Sequence, residues 1–288
     1  MIASIIQGGL GNQMFIYAMA RAMALRNHTS AVFNLKYGFA NDFQFHRKLE
    51  LCGLNVKLQE KPVLTFDYKL SRASLFVSRK AGFNIFMPQY KYIKEKKPMR
   101  FEPEVKSFKG SEVFLEGYWQ SEKYFDDFDS IIRDDFKITM PIPDNVEEEL
   151  RQWNPEEGNL VFIGVRRYQE CKSLADGVLL NEDYYNRAIE IIESKVSSPK
   201  FVVFSQQQEW AKSHLKAKSP IYYALPKEGN DSSVHDLYLM THCHHAIISN
   251  SSFYWWGAWL SEAHKRGIVI APNNFLNKDS VCDKWLKI

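Results

Sequence analysis

Hydrophobic and polar positions follow a regular pattern in the second half of the chain. From residue 160 onward, short apolar runs that predict buried strands alternate with amphipathic runs that predict helices. The predicted strands are 160–165, 200–204, 221–224, 245–249 and 268–271, and the predicted helices between them are 182–195, 207–216, 233–241 and 253–265. This alternation is typical of a parallel, doubly wound α/β sheet, in which ligands bind at the carboxyl ends of the strands.

The first half of the chain opens in a similar way and then becomes irregular. Residues 4–6 predict a buried strand, a glycine-rich turn follows at 8–11, and residues 12–26, rich in Ala and Met, predict a helix. Residues 31–35 predict a second strand, and the apolar spacing of residues 122–136 predicts a helix with its acidic side chains on the opposite side. The N-terminal half is therefore also expected to contain an α/β fold.

A stiff proline-containing break separates the two halves. Pro141 and Pro143 precede Asp144 and Glu147, whose spacing predicts a capping box at the start of a helix that runs to Trp153. We therefore expect a domain boundary within residues 140–158. The predicted domains are 1–157 and 158–288, of which the second is Rossmann-like.

Composition indicates an ordinary globular protein. Hydrophobic residues make up 45 % of the 288 residues, enough to fill a sizeable core. The four cysteines are widely spaced, which argues against a disulfide framework or a zinc knuckle and favours a reducing compartment. The apolar run at the N-terminus stops at Gln7, too early for a signal peptide or a membrane span, so a cytoplasmic location is expected.

The net charge of +3 conceals a basic segment. Residues 61–100 contain ten Lys or Arg but only two acidic residues, and aromatic side chains are interleaved with them. Such a segment can contact anionic headgroups, so peripheral association with the inner face of a membrane is one prediction. The alternative is a solvated basic face over a buried apolar one. Nucleic-acid binding is not expected, because no recognised module accompanies the charge.

Three segments carry candidate chemistry. The turn at Gly8–Gly11 would let the backbone approach a ligand closely. Arg166 and Arg167 follow a predicted strand, and paired guanidinium groups suit a pyrophosphate. Residues 249–252, which are Ser-Asn-Ser-Ser, follow another strand and can cap the next helix and donate to an anion.

Other motifs are better explained by structure than by function. The D-x-D sequence at Asp127–Asp129 resembles a metal-binding motif of nucleotide-sugar enzymes, but its acids fit a solvated helix face. Consecutive histidines at 242–245 point in different directions, whereas tetrahedral metal sites need ligands that converge. Trp255 and Trp256 are expected in the core. No metal site is therefore predicted.

Taken together, these segments resemble the family-11 glycosyltransferases, the bacterial α-1,2-fucosyltransferase family, over nearly the whole chain. The resemblance is carried by GGLGNQMFIYAMARAMA at 8–24, EGYWQSEKYF at 116–125, VFSQQQEW at 203–210 and DLYLMTHCHHAIISNSSFYWWGAWLS at 236–261. It implies a two-domain GT-B fold, a GDP-fucose donor held mainly by the C-terminal domain, no metal or other cofactor, and inversion at the anomeric carbon. The acceptor would be an oligosaccharide or a lipid-linked glycan bound in a groove of the N-terminal domain, 1–157, whereas domain 158–288 would bind the nucleotide sugar.

The resemblance also implies roles for individual residues. Arg166 and Arg167 would contact the donor pyrophosphate, and Asn12 would lie near the transferred sugar together with Gly9 and Gly11. The remaining residues would line the nucleotide: Ser205, Asp236, Ser249, Asn250, Ser251, Ser252 and Phe253.

One departure from the family pattern concerns catalysis. The pattern H-x-R-R-x-D-Y reads here Gly164-Val165-Arg166-Arg167-Tyr168-Gln169-Glu170, which keeps the arginines but lacks the His and the Asp. Candidates for the general base are Glu170, Asp42 and His46. The predicted reaction is transfer of L-fucose from GDP-fucose to a hydroxyl, such as the 2-hydroxyl of a galactoside. Two alternatives remain open: transfer of another nucleotide-linked sugar, and a non-catalytic protein that binds nucleotide sugars or glycans.

Overall fold

The chain forms two compact units, Met1–Thr139 and Met140–Ile288. The computed structural model describes residues 1–40, 42–61, 68–81, 90–96, 100–167, 179–229, 231–275 and 279–288. The division between the units comes at the start of the 140–158 segment, earlier than the 157/158 boundary taken from the sequence. The helix that follows the proline break therefore belongs to the second unit.

The first unit is built on a four-stranded parallel sheet. Its strands are β1 (Ile2–Ile5), β2 (Ala31–Asn34), β3 (Lys91–Lys94) and β4 (Val113–Glu116), in the order β2-β1-β4-β3. Every residue of β1 is buried, as expected for a central strand of a sheet covered on both faces. All four strands send their carboxyl ends to one rim, which places the glycine-rich turn after β1 between the segments that follow β2 and β4.

The helices of the first unit differ in length and burial. They are α1 (Leu10–Arg26), α2 (Tyr37–Ala40), α3 (Tyr68–Ala81), α4 (Pro103–Lys106) and α5 (Asp129–Asp135). The predicted helix over 12–26 is confirmed as α1, which begins two residues earlier at Leu10. It is buried along most of its length and on most sides, which explains why its apolar residues show little sidedness.

The single helix predicted over 122–136 is wrong in its first half. Two short 3₁₀ turns, Glu122–Tyr124 and Asp126–Phe128, precede α5. The Arg26 side chain donates to the Tyr124 carbonyl and to the Asp127 carboxylate. Because that carbonyl would accept from Phe128 in an α-helix, the chain bonds Phe128 N–H to Phe125 instead, at 2.9 Å.

The second unit is built on a six-stranded parallel sheet. Its strands are β5 (Leu160–Gly164), β6 (Lys200–Phe204), β7 (Ile221–Tyr223), β8 (His245–Ile247), β9 (Val269–Ala271) and β10 (Leu286–Lys287), in the order β7-β6-β5-β8-β9-β10. The prediction of a doubly wound sheet is confirmed. The strand order reverses between β5 and β8, and ligands of such sheets bind in the crevice at that point.

Helices connect these strands largely as predicted. They are α6 (Asp144–Trp153), α7 (Glu182–Lys195), α8 (Gln208–His214), α9 (Ser232–Thr241), α10 (Ser252–Leu260) and α11 (Glu262–Lys265). The predicted helix over 253–265 is wrong in its continuity: it breaks at Ser261, whose backbone is extended and whose hydroxyl donates to the Ala258 carbonyl at 2.9 Å. In the described part of the chain, no helix combines the length and the apolar character needed to cross a membrane.

The capping box predicted for α6 is wrong. Pro143 occupies the N-cap position, and no side chain caps this helix end. Glu147 instead accepts a hydrogen bond from the Tyr238 hydroxyl of α9 at 2.8 Å. The glutamate therefore joins two helices of the second unit rather than closing its own helix end.

Candidate functional site

The two arginines and the serine-rich segment meet at the reversal of strand order in the second unit. Strands β5 and β8 are neighbours in register, with Ile163 opposite Ile247. Arg166 follows β5 by two residues and Ser249 follows β8 by two residues, so both segments leave the sheet at the same rim. The structure thus brings together residues that are more than eighty positions apart in sequence.

The segment after β8 forms the start of α10. Ser249, Asn250 and Ser251 are buried, and the Ser251 hydroxyl accepts the Tyr254 N–H at 3.5 Å as the N-cap. This nine-residue helix therefore begins at the rim, and the positive end of its dipole favours an anion there. Trp255 and Trp256 are fully buried, which confirms their predicted place in the core.

Arg167 is held by an aromatic ring that the sequence analysis missed. Its guanidinium carbon lies 4.1 Å from the centre of the Trp210 ring. The Nε atom of Arg167 is buried and has no hydrogen-bond acceptor among the described residues. A buried N–H donor without an acceptor is costly, and an oxyanion ligand at this rim would satisfy it. The only sequence signal for this contact is the position of Trp210, which ends the motif VFSQQQEW six residues after β6.

Two hydroxyls complete this rim. The Tyr185 hydroxyl lies near Ser249 and the Arg166 backbone, and burial raises its pKa strongly. Neither this hydroxyl nor that of Ser249 makes a well-formed hydrogen bond within the described residues. Ser205, after β6, accepts the Gln207 N–H at 2.9 Å, so its hydroxyl shapes the turn into α8.

Gly164 stands where the family pattern has a histidine, and the structure shows what fills the space. A Cβ atom at this position would overlap the ring of Tyr254. The Tyr254 hydroxyl donates to the Phe204 carbonyl at 2.9 Å, which fixes the ring beneath the end of β5. A side chain at position 164 and the present position of Tyr254 therefore exclude each other.

Asp236 lies on α9 beside a buried ion pair. Lys227 and Glu149 are only 6 % and 4 % exposed and are 2.8 Å apart, and Lys227 Nζ lies 3.4 Å from Asp236. Glu149 also accepts the Leu225 N–H at 2.6 Å, which fixes the loop after β7. Burial raises the pKa of Asp236 to about 6, although Lys227 opposes the shift. No sequence pattern links Glu149 to this site.

In the first unit, the glycine-rich turn is fastened by the carboxamide of Gln13. Its Nε2 donates to the carbonyls of Gly8 and Lys48, both at 2.8 Å, and its Oε1 accepts the Glu50 N–H at 3.0 Å. Glu50 in turn accepts the Leu10 N–H at 3.0 Å. The segment after β2 is therefore bound to the turn after β1.

A third post-strand segment joins this rim through Asn12. Its Oδ1 accepts from Gln120 Nε2 at 2.8 Å, which ties the turn to the motif after β4. Arg47 lies over Gly9, where a Cβ atom would overlap its guanidinium group. Gly11 is buried in the first turn of α1. Glycine at position 9 therefore leaves room for the present position of the Arg47 side chain, a contact that the sequence pattern does not predict.

The structure describes two of the three candidates for the general base. Glu170 lies outside the described residues. Asp42 accepts the N–H groups of Phe45 at 3.0 Å and Arg47 at 3.1 Å, so it orders its own loop. His46 is exposed, with a positive φ of 49°. The structure does not bring either residue into contact with Asn12.

The remaining motifs have structural roles or fall partly outside the description. Asp127 pairs with Arg26 at 2.6 Å, and Asp129 pairs with Arg133 at 2.9 Å. His245 begins β8 as predicted, and its Nδ1 accepts the Ile268 N–H at 3.0 Å. Within the basic segment 61–100, only residues 61, 68–81, 90–96 and 100 are described, so the predicted membrane contact stays a prediction.

Comparisons with known proteins agree with this architecture. An alpha-1,2-colitosyltransferase of Escherichia coli is 29 % identical over 300 residues, covering 98 % of this chain and 97 % of that protein. A galactoside alpha-(1,2)-fucosyltransferase 1 of Alouatta belzebul is 26 % identical over 199 residues, covering 59 % and 52 % of the two chains. A mutant of Arabidopsis thaliana FUT1 in complex with GDP superposes with a TM-score of 0.52 at 12 % identity, covering 94 % of this chain and 69 % of that one.

The structural likeness supports the GT-B class of fold, with a parallel α/β sheet in each unit. The sequence matches the family model described as Glycosyl transferase family 11 over residues 1–287. This match spans both units and all the candidate site segments. The chain therefore belongs to glycosyl transferase family 11.

Proposed function

We propose that this glycosyltransferase moves L-fucose from GDP-fucose to a hydroxyl of a glycan acceptor, with inversion at the anomeric carbon. The 2-hydroxyl of a galactoside is the acceptor that we favour. Two relatives support an α-1,2 linkage, since one is named as a colitosyltransferase and one as a galactoside fucosyltransferase of that linkage. The complex of a structural neighbour with GDP supports a guanosine diphosphate leaving group.

The arginine pair beside the start of α10 is the observation that carries the proposal. As the bond from the sugar to the diphosphate breaks, negative charge builds up on the leaving oxygen. Arg167 offers a buried Nε donor with no described acceptor, and the N-terminus of α10, with its positive dipole end, lies at the same rim. Arg166 follows β5 at this rim as well. These donors are already in place, so little reorganisation is needed during the reaction.

We further propose that these donors supply the charge stabilisation for which many nucleotide-sugar enzymes use a divalent ion. Arginine stays protonated and can bind phosphate oxygens in a bidentate manner. Transfer should therefore persist in EDTA. Loss of transfer in EDTA, with recovery on adding Mg²⁺ or Mn²⁺, would contradict this part of the proposal.

The acceptor hydroxyl becomes more acidic as it attacks an oxocarbenium-like sugar, so a nearby acceptor for its proton assists the reaction. We propose that Asn12 orients the transferred sugar, because its side chain is fixed by Gln120 at the rim of the first unit. Glu170 remains the favoured candidate base because it follows Arg167 by three residues in the sequence. Glu170→Gln should lower kcat while leaving GDP affinity within about twofold.

The decisive experiment is a donor and acceptor screen with the purified protein. GDP-fucose and galactose-terminated oligosaccharides are incubated with the enzyme, and products are identified by mass spectrometry and by the linkage that NMR assigns. We expect a mass gain of one deoxyhexose, linked to the 2-hydroxyl with anomeric inversion. GDP binding without transfer or donor hydrolysis would instead favour the non-catalytic alternative.

A second candidate is transfer of colitose, favoured by the name of the relative that matches the whole chain. Colitose is fucose without its 3-hydroxyl, so the two donors share the GDP group and most of the sugar. A site that hydrogen-bonds the 3-hydroxyl would discriminate strongly against colitose. The ratio of kcat/KM for GDP-fucose to that for GDP-colitose decides between the two candidates.

A further inference from the structure

The loop that follows α2 in the first unit is held in one conformation by its own polar contacts. Asp42 accepts two loop N–H groups with its carboxylate, and its carbonyl accepts the His46 N–H at 3.1 Å. At its far end the loop is bound to the glycine-rich turn through Gln13 and Glu50. Residues 42–48 therefore form an ordered part of the same rim as Asn12.

An aromatic ring in this loop is exposed on one side and covered on the other. The guanidinium carbon of Arg47 lies 4.7 Å from the centre of the Phe45 ring. Phe45 is nevertheless 43 % exposed, so its uncovered face and edge meet solvent. Exposed phenylalanine side chains lose hydrophobic stabilisation, and an ordered one beside a reaction site suggests a ligand that covers it.

Polar groups surround the covered face of this ring. Arg47 lies over Gly9 and near the Asp42 carboxylate, with 3.9 Å between Nε and Oδ2. Tyr118 follows β4 in the family motif and is half-buried. Burial raises the pKa of its hydroxyl, the Arg47 charge lowers this pKa and the Asp42 charge raises it. One face of the Phe45 ring is thus held by a charged, hydrogen-bonded cluster, and the other face is apolar and open.

We propose that Phe45 and Arg47 form an acceptor subsite that binds a pyranose ring of the glycan. A pyranose has an apolar face of C–H groups, which suits the open face of Phe45, while Arg47 supports the aromatic ring from its covered face. The subsite lies at the rim that carries Asn12, on the unit assigned to the acceptor. This inference rests on the proposed transferase function and names the residues that select its acceptor.

Phe43 provides a matched control. It is another phenylalanine of the same loop and is 68 % exposed, but it makes no described contact with Arg47. The variants are Phe45→Ala, Phe45→Tyr, Arg47→Lys and Phe43→Ala. Each is tested for binding of N-acetyllactosamine by saturation-transfer NMR, for GDP binding by calorimetry, and for the acceptor KM in the transfer reaction.

We expect Phe45→Ala to raise the acceptor KM and the dissociation constant of N-acetyllactosamine about tenfold, as loss of one stacked ring implies. Phe45→Tyr keeps a ring face and should restore most of the affinity. Arg47→Lys loses the planar group that stacks on the ring and should weaken binding severalfold. Phe43→Ala should match the unmodified protein, and GDP affinity should stay within about twofold in all four variants.

Three results would overturn the subsite. One is disaccharide binding that Phe45→Ala leaves unchanged. A second is the absence of any disaccharide binding by the unmodified protein. The third concerns vesicles that contain anionic lipids. If Phe43→Ala and Phe45→Ala weaken vesicle binding equally and leave the disaccharide KM unchanged, the loop is a membrane contact. If no donor supports transfer, the proposed function fails, yet disaccharide binding still tests the subsite.

Discussion

The rims of the two sheets are built in opposite ways. In the second unit, the arginine pair and the serine-rich segment directly follow strands β5 and β8, and the order of the strands brings them to one rim. In the first unit, the turn after β1 reaches its final form only through side chains that bridge three separate segments, at 8–13, 47–50 and 117–120.

The two sites therefore depend on different features of the structure. A site formed by strand ends at a reversal of strand order follows from topology, so it tolerates changes elsewhere in the unit. A site formed by bridging side chains depends on each bridge. Substitutions should therefore affect chemistry most strongly in the second unit and local folding most strongly in the first.

The largest expected effect is on the second rim. Arg166→Ala should lower the rate of transfer from GDP-fucose at least about a hundredfold, since removing one donor to a developing charge typically costs about 3 kcal/mol. Far-ultraviolet circular dichroism and the melting temperature should stay unchanged. Arg187→Ala, an exposed arginine of α7 in the same unit, is the control. Near-normal turnover of Arg166→Ala would remove the arginine pair from the mechanism.

Loss of a bridge in the first rim should act on stability. Gln13→Ala leaves two carbonyls and one N–H group without their partner in a buried site, which should lower the free energy of unfolding by about 2–3 kcal/mol. Thermal denaturation measures this change, and Gln59→Ala, on the surface of the same unit, is the control. GDP affinity should be preserved. A variant of full stability would show that the three bonds do not fasten the turn.

A packing effect of about 1–3 kcal/mol is expected at the end of β5. Gly164→Ala forces a methyl group into the Tyr254 ring and should destabilise the protein by that amount. Tyr254→Ala removes the ring, so Gly164→Ala should cost much less in that background. Urea denaturation of the two single variants and the double variant gives the coupling. Additive effects would mean that the ring moves aside freely.

The contact between Arg167 and Trp210 should contribute a smaller amount. Trp210→Leu removes the ring beneath the guanidinium and should weaken GDP binding by about 1 kcal/mol, or roughly fivefold. Trp210→Phe keeps an aromatic face and should recover part of the loss. Calorimetric titration with GDP measures both. Equal GDP affinities of the Trp210→Leu and Trp210→Phe variants would show that the effect comes from side-chain volume rather than from the aromatic ring.

The smallest effect at neutral pH is expected at Asp236, and it becomes visible only on acidification. Because its pKa is raised to about 6, the carboxylate gains a proton as the pH falls through that value, and it can then no longer accept hydrogen bonds as an anion from the nucleotide. GDP affinity should therefore decline below about pH 6 in the unmodified protein.

Asp236→Asn should show a flatter profile, with Lys227 and Glu149 still paired beside it. Acidification has the opposite effect on stability to its effect on GDP binding. A raised carboxyl pKa means that the charged form is disfavoured in the folded state, so this group lowers stability above about pH 6 and ceases to do so below about pH 4. A pH profile that is unchanged by the substitution would exclude Asp236 as the titrating group.

Local sequence pattern was sufficient where one segment determines its own structure. Strands β5 and β6 and helix α7 follow directly from apolar periodicity, and the rim position of Arg166 follows from the end of β5. The 3₁₀ turns at 122–128 could not be predicted, because a guanidinium group from a distant helix takes the Tyr124 carbonyl. For the same reason, the contacts of Trp210 with Arg167, of Gln13 with Lys48 and of Arg47 with Gly9 were missed, because each joins residues that are distant in sequence and follows no periodicity.

The bonds from Gln13 to the segment after β2 reach only main-chain atoms, the Lys48 carbonyl and the Glu50 N–H. These hydrogen bonds do not depend on the identity of the side chains in the segment. Positions 43–49 can thus be exchanged as a cassette, provided that Asp42 and Glu50 are retained at its ends. Libraries at these positions should therefore vary the proposed acceptor subsite while the main-chain anchor of the glycine-rich turn is kept.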